Sequence, residues 1–400
     1  MKISRAAKNA IIMGGLLAFS YLAVYIARNM LGAVTPLMIE DGYSKESIAS
    51  ISSIFLFTYA IGHLINGLIG DRIKAKFMIP LGLFGGGLTC LIFPFVIDSY
   101  IVALGVYGLT GFFLSMIYAP MTKVVAENIE KEYAHRCALG YNFSSFLGSP
   151  LSGILASIMI WQSVFVTGSF LLVIMALLCF ALFLSFEKKG IIKDPEKKKS
   201  TFSKENVGML FKHHIVRFSF VAILTGIIRT SVIFWIPTYI NQYLGFSPKV
   251  AALLYTVTTV MISASAFISV FVYEKLGYNM FGTLFIMFFA SAIFFLLSFF
   301  VSSPIVNLIF ITIAITAANC SSSILWIIYC PSLKDTGMVS SATGFLDCLS
   351  YGAAAVANIL FANAATTIGW GNLILIWSGI SFVGVFTAIM RKNQKNKRNT

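Results

Sequence analysis

The chain has 400 residues, 58% of them hydrophobic and 11% charged, with a mean hydropathy of +0.87. These values exclude an ordinary soluble globular protein. The formal net charge of +14 does not argue for nucleic-acid binding, because the basic residues concentrate in the polar breaks between apolar runs, where anionic lipid headgroups suffice as partners.

Apolar runs of about 20 residues, the length that crosses a ~30 Å hydrocarbon core, recur along the whole sequence. They predict twelve spans at 11–38, 47–70, 77–97, 100–122, 138–160, 163–186, 218–241, 250–273, 279–301, 304–329, 339–366 and 371–390. The runs are continuous and do not alternate in polarity, so helices are expected and a barrel is not. The fold class is an all-α membrane protein.

The chain opens on "MKISRAAKNA", a basic segment followed by an apolar run too long for a signal peptide and lacking a small-residue cleavage site; a retained first span is expected. With the N-terminus cytoplasmic, all lysines and arginines except Arg28, Lys45, Arg229 and Lys249 fall in cytoplasmic segments, which predicts that both termini are inside.

Span one carries Tyr21, Tyr25 and Arg28, spaced to share one helical face. His63 lies inside span two, where it can donate to an anion, titrate, or bond a helix backbone. The next loop, "GLIGDRIKAK", combines Gly67, whose small size admits a close helix, with Asp71, Arg72, Lys74 and Lys76 as a charge cluster. Gly105, Gly108 and Gly111 in span four, and Ser149, Ser152 and Gly153 in span five, form small-residue faces that let backbones approach.

The longest polar break, "EKKGIIKDPEKKKSTFSKEN", reads as a solvated cytoplasmic linker. It divides the chain into a six-helix unit at 1–186, a linker at 187–214 and a second six-helix unit at 215–400. Arg28 is followed by Pro36 and then "GYS"; Arg229 is followed at the same arginine-to-proline spacing by Pro237 and then "GFS". The recurrence in the first span of each half predicts a duplicated unit, with the two arginines facing each other across a central cavity.

An arginine at span centre costs at least ~2.5 to 3.5 kcal/mol on insertion scales and normally marks function. Asp347, in "GFLDCLSYG" of span eleven, is the one acid placed to neutralise them, and one carboxylate cannot neutralise two separated guanidinium groups. A net positive charge is left for an anion that comes and goes, and the guanidinium fork suits phosphate or carboxylate oxygens. Asp347 itself could carry a proton, position an arginine or bond a neighbouring helix.

No nucleophile and base stand at catalytic spacing and no GxxxxGK[ST] motif is present, so an enzyme is not expected. The six cysteines (Cys90, Cys137, Cys179, Cys320, Cys330, Cys348) lack CxxC spacing, and His135 beside Cys137 is too little for a metal site. No cofactor and no metal are expected.

The loop "GLIGDRIKAK", taken with twelve spans, resembles the signature of the major facilitator superfamily. "YLAVYIARNMLGAVTPLMIEDGYSKESIA", "IIRTSVIFWIPTYI" and "GMVSSATGFLDCLSYGAAAVANILFANAATTIGWGN" are similar to the organophosphate:inorganic phosphate antiporters, which include glycerol-3-phosphate and hexose-6-phosphate carriers. The resemblance implies two pseudo-symmetric six-helix bundles and exchange of a small organic anion for inorganic phosphate; a monomer in the cytoplasmic membrane is expected, and the lysine- and asparagine-rich loops suggest a bacterial source. It gives Arg28 and Arg229 the role of gripping the phosphate, matches Tyr21 and Tyr25 to site tyrosines, and Asn142 to a span-five asparagine beside the site. It assigns the loop residues Gly67, Asp71, Arg72, Lys74 and Lys76 to a latch between the halves. Departures are His63 and Asn29 for lysines, Ser145 for a histidine, Phe234 for an acid and Thr259 for a glutamate. They lower the charge around the anion, which leaves open a proton-coupled symporter of organic carboxylates; a non-transporting organophosphate sensor is the other alternative.

Overall fold

Apolar sequence that must satisfy its own backbone hydrogen bonds leaves the helix as the available element, and the computed structural model, which describes residues 5–70, 73–192, 204–336 and 339–389, is built from helices joined by short turns. Among the described residues, eleven helical stretches are long and apolar enough to cross a membrane. The fifth expected span is the twelfth helix, α6 (Lys131–Ile158). Its first turns carry Lys131, Glu132, His135 and Arg136 ahead of the apolar stretch. The helix starts before the expected 138 for a physical reason: helices extend into water past the hydrocarbon boundary.

The first half contains α1 (Arg5–Glu40), α2 (Lys45–Gly70), α3 (Ala75–Val96), α4 (Tyr100–Leu114), α5 (Tyr118–Asn128), α6 and α7 (Trp161–Lys188). The expected fourth span is split into α4 and α5. At the break, the Ser115 hydroxyl donates to the Phe112 carbonyl at 2.6 Å and accepts from Asn66 Nδ2 at 2.8 Å, so tertiary bonding supports the interruption.

A short helix, α8 (Lys204–Lys212), precedes the second half, which contains α9 (Ile215–Gly226), α10 (Ile233–Gln242), α11 (Pro248–Ser263), α12 (Ser265–Lys275), α13 (Met280–Phe300), α14 (Pro304–Ser323), α15 (Cys330–Ser332), α16 (Val339–Thr367) and α17 (Gly369–Ile389). Between α9 and α10 the chain widens into a π turn, Ile227–Val232, and a second π turn, Ile324–Tyr329, joins α14 to α15. Such turns recur at functional sites, and the first one contains Arg229.

Within the first half α1 packs on α6 and α7, and α3 packs on α4 and α7; within the second, α13 packs on α14 and α17, and α16 on α9. The two sets meet where α2 packs on α16, α6 on α11, and α1 on α10 and α11. Small residues set these approaches. A Cβ on Gly153 of α6 would lie 2.3 Å from Thr256 Oγ1 of α11, and one on Gly226 would lie 2.4 Å from the Ser350 carbonyl oxygen of α16. In α4, Gly111 lies against the backbone of Phe55, whereas Gly105 faces open space.

Large apolar side chains such as Ile101 (80% exposed) and Phe95 (77% exposed) cover the perimeter. Exposure on this scale suits a hydrocarbon surround and would be an aggregation hazard in water. The interior holds aromatic residues including Trp235, Trp377, Tyr107 and Tyr239.

Successive spans alternate in direction, so Glu46, Ser52 and Thr366 lie toward the face remote from the termini. Among the described residues, hydrogen bonds joining the halves run from mid-depth to that face. Ser263 Oγ donates to the Phe146 carbonyl at 3.3 Å, Ser53 Oγ to the Ala355 carbonyl at 2.7 Å, Asn358 Nδ2 to Ser52 Oγ at 2.8 Å, and Thr366 Oγ1 to Glu46 Oε1 at 2.8 Å. Lys45 adds a cation–π contact over Trp370 at 5.7 Å.

Candidate functional site

Arg28 reaches mid-depth from α1 and Arg229 from the π turn of span seven. They converge on one atom. Arg28 Nη1 donates to the Tyr351 phenol oxygen at 2.8 Å and Arg229 Nη2 donates to the same oxygen at 3.1 Å. The two guanidinium nitrogens therefore lie within about 6 Å of each other. A phenol oxygen accepts two hydrogen bonds, so Tyr351 serves both cations while supplying no full negative charge.

Aromatic faces supply the rest of the surroundings. The Arg28 guanidinium carbon lies 5.3 Å from the Tyr25 ring centre, 5.2 Å from Tyr59 and 4.6 Å from Tyr351, and that of Arg229 lies 5.9 Å from Tyr351. Cation–π contacts of this kind contribute about 0.5 to 2 kcal/mol each. They soften the cost of burying the charges without neutralising them. Two unit charges about 6 Å apart repel by about 3 kcal/mol at an effective dielectric constant of 20. Among the described residues the ion pairs within 4.0 Å are those of Lys74 and Lys76 with Glu187; neither span-centre arginine has a carboxylate at that distance.

Asp347 lies one helical turn before Tyr351 on α16 and is half-buried. Among the described residues it makes no ion pair within 4.0 Å with either arginine. His63 packs edge-on against Tyr59, with ring centres 4.5 Å apart, and parallel to Tyr351 at 6.2 Å; its buried Nε2 has no hydrogen-bond partner. Tyr21 is buried one turn behind Tyr25 and stands among the rings of Tyr25, Tyr118 and Tyr141 at 4.9, 5.5 and 6.3 Å. Asn142 and Ser145 are placed on α6, and their side chains lie outside the described residues. Of the loop cluster, Asp71 and Arg72 lie outside the described residues, as do the surroundings of Gly67, whereas Lys74 and Lys76 both reach Glu187 at the end of α7, at 3.7 and 2.5 Å. Glu187 belongs to the same half as these two lysines.

Both arginines line a narrow pocket together with Asn29, Ser52, Phe55, Thr230, Phe234 and Asn358.

Tyr351, Tyr59, Thr230 and Asn358 carry no charge or motif in the sequence that sets them apart from packing residues. The available signal was helical spacing: Tyr351 follows Asp347 by four residues and Tyr59 precedes His63 by four, so each shares a face with an intramembrane polar residue.

Comparisons with known proteins agree with this architecture. The glycerol-3-phosphate transporter of Bacillus subtilis is 21% identical over 252 residues, covering 57% of this chain and 57% of that protein. The membrane sensor protein UhpC of Salmonella typhimurium is 26% identical over 94 residues, covering 23% of this chain and 21% of the sensor. These matches span less than two thirds of either relative's length. Among solved structures, the D-xylose-proton symporter superposes with a TM-score of 0.72 at 13% identity, covering 97% of this chain and 98% of that one. The Major Facilitator Superfamily profile matches residues 17–357, and the chain belongs to that family.

Proposed function

We propose that the protein is a secondary active transporter that exchanges a phosphate-bearing organic anion for inorganic phosphate across the cytoplasmic membrane of a bacterium. It works as a monomer with both termini inside and needs no cofactor. The two six-helix units at 1–186 and 215–400 rock about the arginine pair, with 187–214 as the connecting linker. The observation that carries this reading is the meeting of Arg28 and Arg229, from opposite halves, on one uncharged acceptor.

In this reading the bound anion supplies the charge that Tyr351 lacks. The empty site opposes closure by repulsion between the cations, and the occupied site relieves it, which gives the ligand the differential affinity that a conformational change requires. A carrier that changes face readily only when loaded is an exchanger. The organophosphate relatives support the choice of substrate class, and the low net charge of the tyrosine-rich wall fits a small ester.

The test is flux into proteoliposomes. Liposomes loaded with inorganic phosphate are expected to take up labelled glycerol phosphate, and Arg229→Lys is expected to cut the rate about 10- to 100-fold, since a point charge cannot replace a bidentate fork. Uptake at the wild-type rate by the lysine variant would remove the reading. Asp347, one turn from the shared phenol, favours a second reading, proton-coupled symport of an organic carboxylate; uptake that follows an imposed pH gradient with no internal phosphate would establish it. Binding without flux under either condition would instead fit a sensor.

A further inference from the structure

The end of span seven nearest the termini carries a basic cluster that the arginine pair at mid-depth does not use. The chain turns from α8 into α9 at His214, whose backbone is left-handed with φ 61°, an uncommon conformation away from glycine. Around this elbow Lys212 and His214 are exposed, and His213 and Arg217 are half-buried. Arg217 and His214 converge on Phe281, in the first turn of α13. The guanidinium carbon stands 3.8 Å from the centre of that ring, and the imidazole stands edge-on at 5.9 Å. The two basic groups are therefore no more than about 10 Å apart.

Arg217 is fixed in place without being neutralised. Its Nε donates to the Thr387 carbonyl in the last turn of α17, and its Nη2 has no hydrogen-bond partner. Among the described residues, the ion pairs within 4.0 Å involve neither Arg217 nor Lys212. The same three helices turn apolar immediately next to these groups. Val216 adjoins Arg217, Phe285 lies one turn beyond Phe281, and Phe386 adjoins Thr387; all three are exposed, as is Phe220 one turn beyond Val216. They belong to the perimeter that suits hydrocarbon. A soluble anion would use the charges and leave these side chains idle, whereas a molecule with a charged head and apolar tails uses both.

We infer that the junction of α9, α13 and α17 binds one anionic phospholipid of the leaflet on the side of the termini. Lys212 and His214 reach its phosphate directly, Arg217 adds its charge from beneath, and the acyl chains lie along Val216, Phe220 and Phe386. With both termini inside, as proposed above, this is the cytoplasmic leaflet, where basic pockets between helices take anionic headgroups. The site is about three helical turns from Arg229, at the base of the helix that leads into the π turn.

Native mass spectrometry of the purified full-length protein tests this, with phosphatidylglycerol, phosphatidylcholine and glycerophosphoglycerol, a headgroup without tails, as probes. Wild type is expected to retain one phosphatidylglycerol about tenfold or more tightly than phosphatidylcholine, and to retain no glycerophosphoglycerol. Lys212→Gln removes an exposed charge and is expected to weaken phosphatidylglycerol about fivefold, with Arg217→Gln weakening it at least as much and neither changing phosphatidylcholine. The double variant Lys188→Gln, Lys189→Gln removes two exposed lysines at the end of α7 and is expected to keep the tightly held lipid. Equal loss in that double variant would show diffuse surface charge and overturn the site. Equal retention of both lipids by wild type, or wild-type retention by Lys212→Gln, would overturn it too. An Arg217 that merely caps α17 would leave the ratio of the two lipids unchanged in Arg217→Gln, and glycerophosphoglycerol held as tightly as the lipid would assign the cluster to a soluble phosphodiester; either result counts against the lipid site.

Discussion

Tyr351 is the residue on which the two halves of the site depend in the absence of an anion. Its phenol oxygen accepts one hydrogen bond from each arginine, and its ring packs against Arg28, Tyr59 and His63. Tyr351→Phe keeps the ring contacts and removes the shared acceptor. Hydrogen bonds to charged groups contribute about 1.5 to 3 kcal/mol, so the variant is expected to melt several degrees lower than wild type without ligand, and to gain more on adding phosphate than wild type does. Thermal-shift measurements with and without phosphate check it; equal phosphate stabilisation in both proteins would contradict the role. Arg28 and Arg229 were legible in the sequence because a charge inside an apolar run is costly and rare. Tyr351 was not, because a tyrosine in such a run is ordinary packing and only its geometry makes it the common acceptor.

At the level of elements, apolar length located the helices well: span eleven, expected at 339–366, is α16 at Val339–Thr367. Interruptions were less legible. The break between α4 and α5 at Ser115 depends on Asn66 of another helix, and the π turn around Arg229 forms in span seven while span one, which has the matching Pro36, stays α-helical through Arg5–Glu40. These features are settled by tertiary partners that local sequence does not specify. Ser231 Oγ in that turn donates to the Ala354 carbonyl at 2.6 Å, and Gly226 lies against Ser350, so α16 clasps the widened segment. The α6–α11 contact gives an element-scale prediction. Since even a Cβ at Gly153 would meet Thr256 at 2.3 Å, Gly153→Val is expected to hold the halves apart at the face remote from the termini. A cysteine placed at Ser52 should then react faster with an impermeant thiol reagent from that face, and exchange should fall at least tenfold, by analogy with other overpacked contacts costing about 1 to 3 kcal/mol. Unchanged labelling would show that the contact does not set the closure.

For the whole molecule, hydrogen bonds between the halves from mid-depth to the remote face describe a carrier joined at that side. Cysteines replacing Glu46 and Thr366, joined by a short thiol-specific crosslinker, are therefore expected to hold this state, abolishing exchange while leaving phosphate binding within about twofold; reductive cleavage of a disulfide-containing linker should restore flux. Loss of binding on crosslinking would contradict a site that stays reachable when the remote face is held closed. The central claim is that one anion is shared by two arginines, and a double-mutant cycle on phosphate affinity tests it most directly. If Arg28 and Arg229 hold the same ligand, Arg28→Lys and Arg229→Lys should each weaken binding about tenfold or more, and the double variant should lose much less than the product of the two, a coupling energy of about 1 kcal/mol or more. Fully multiplicative losses, or a single variant that binds phosphate as wild type does, would contradict the shared site.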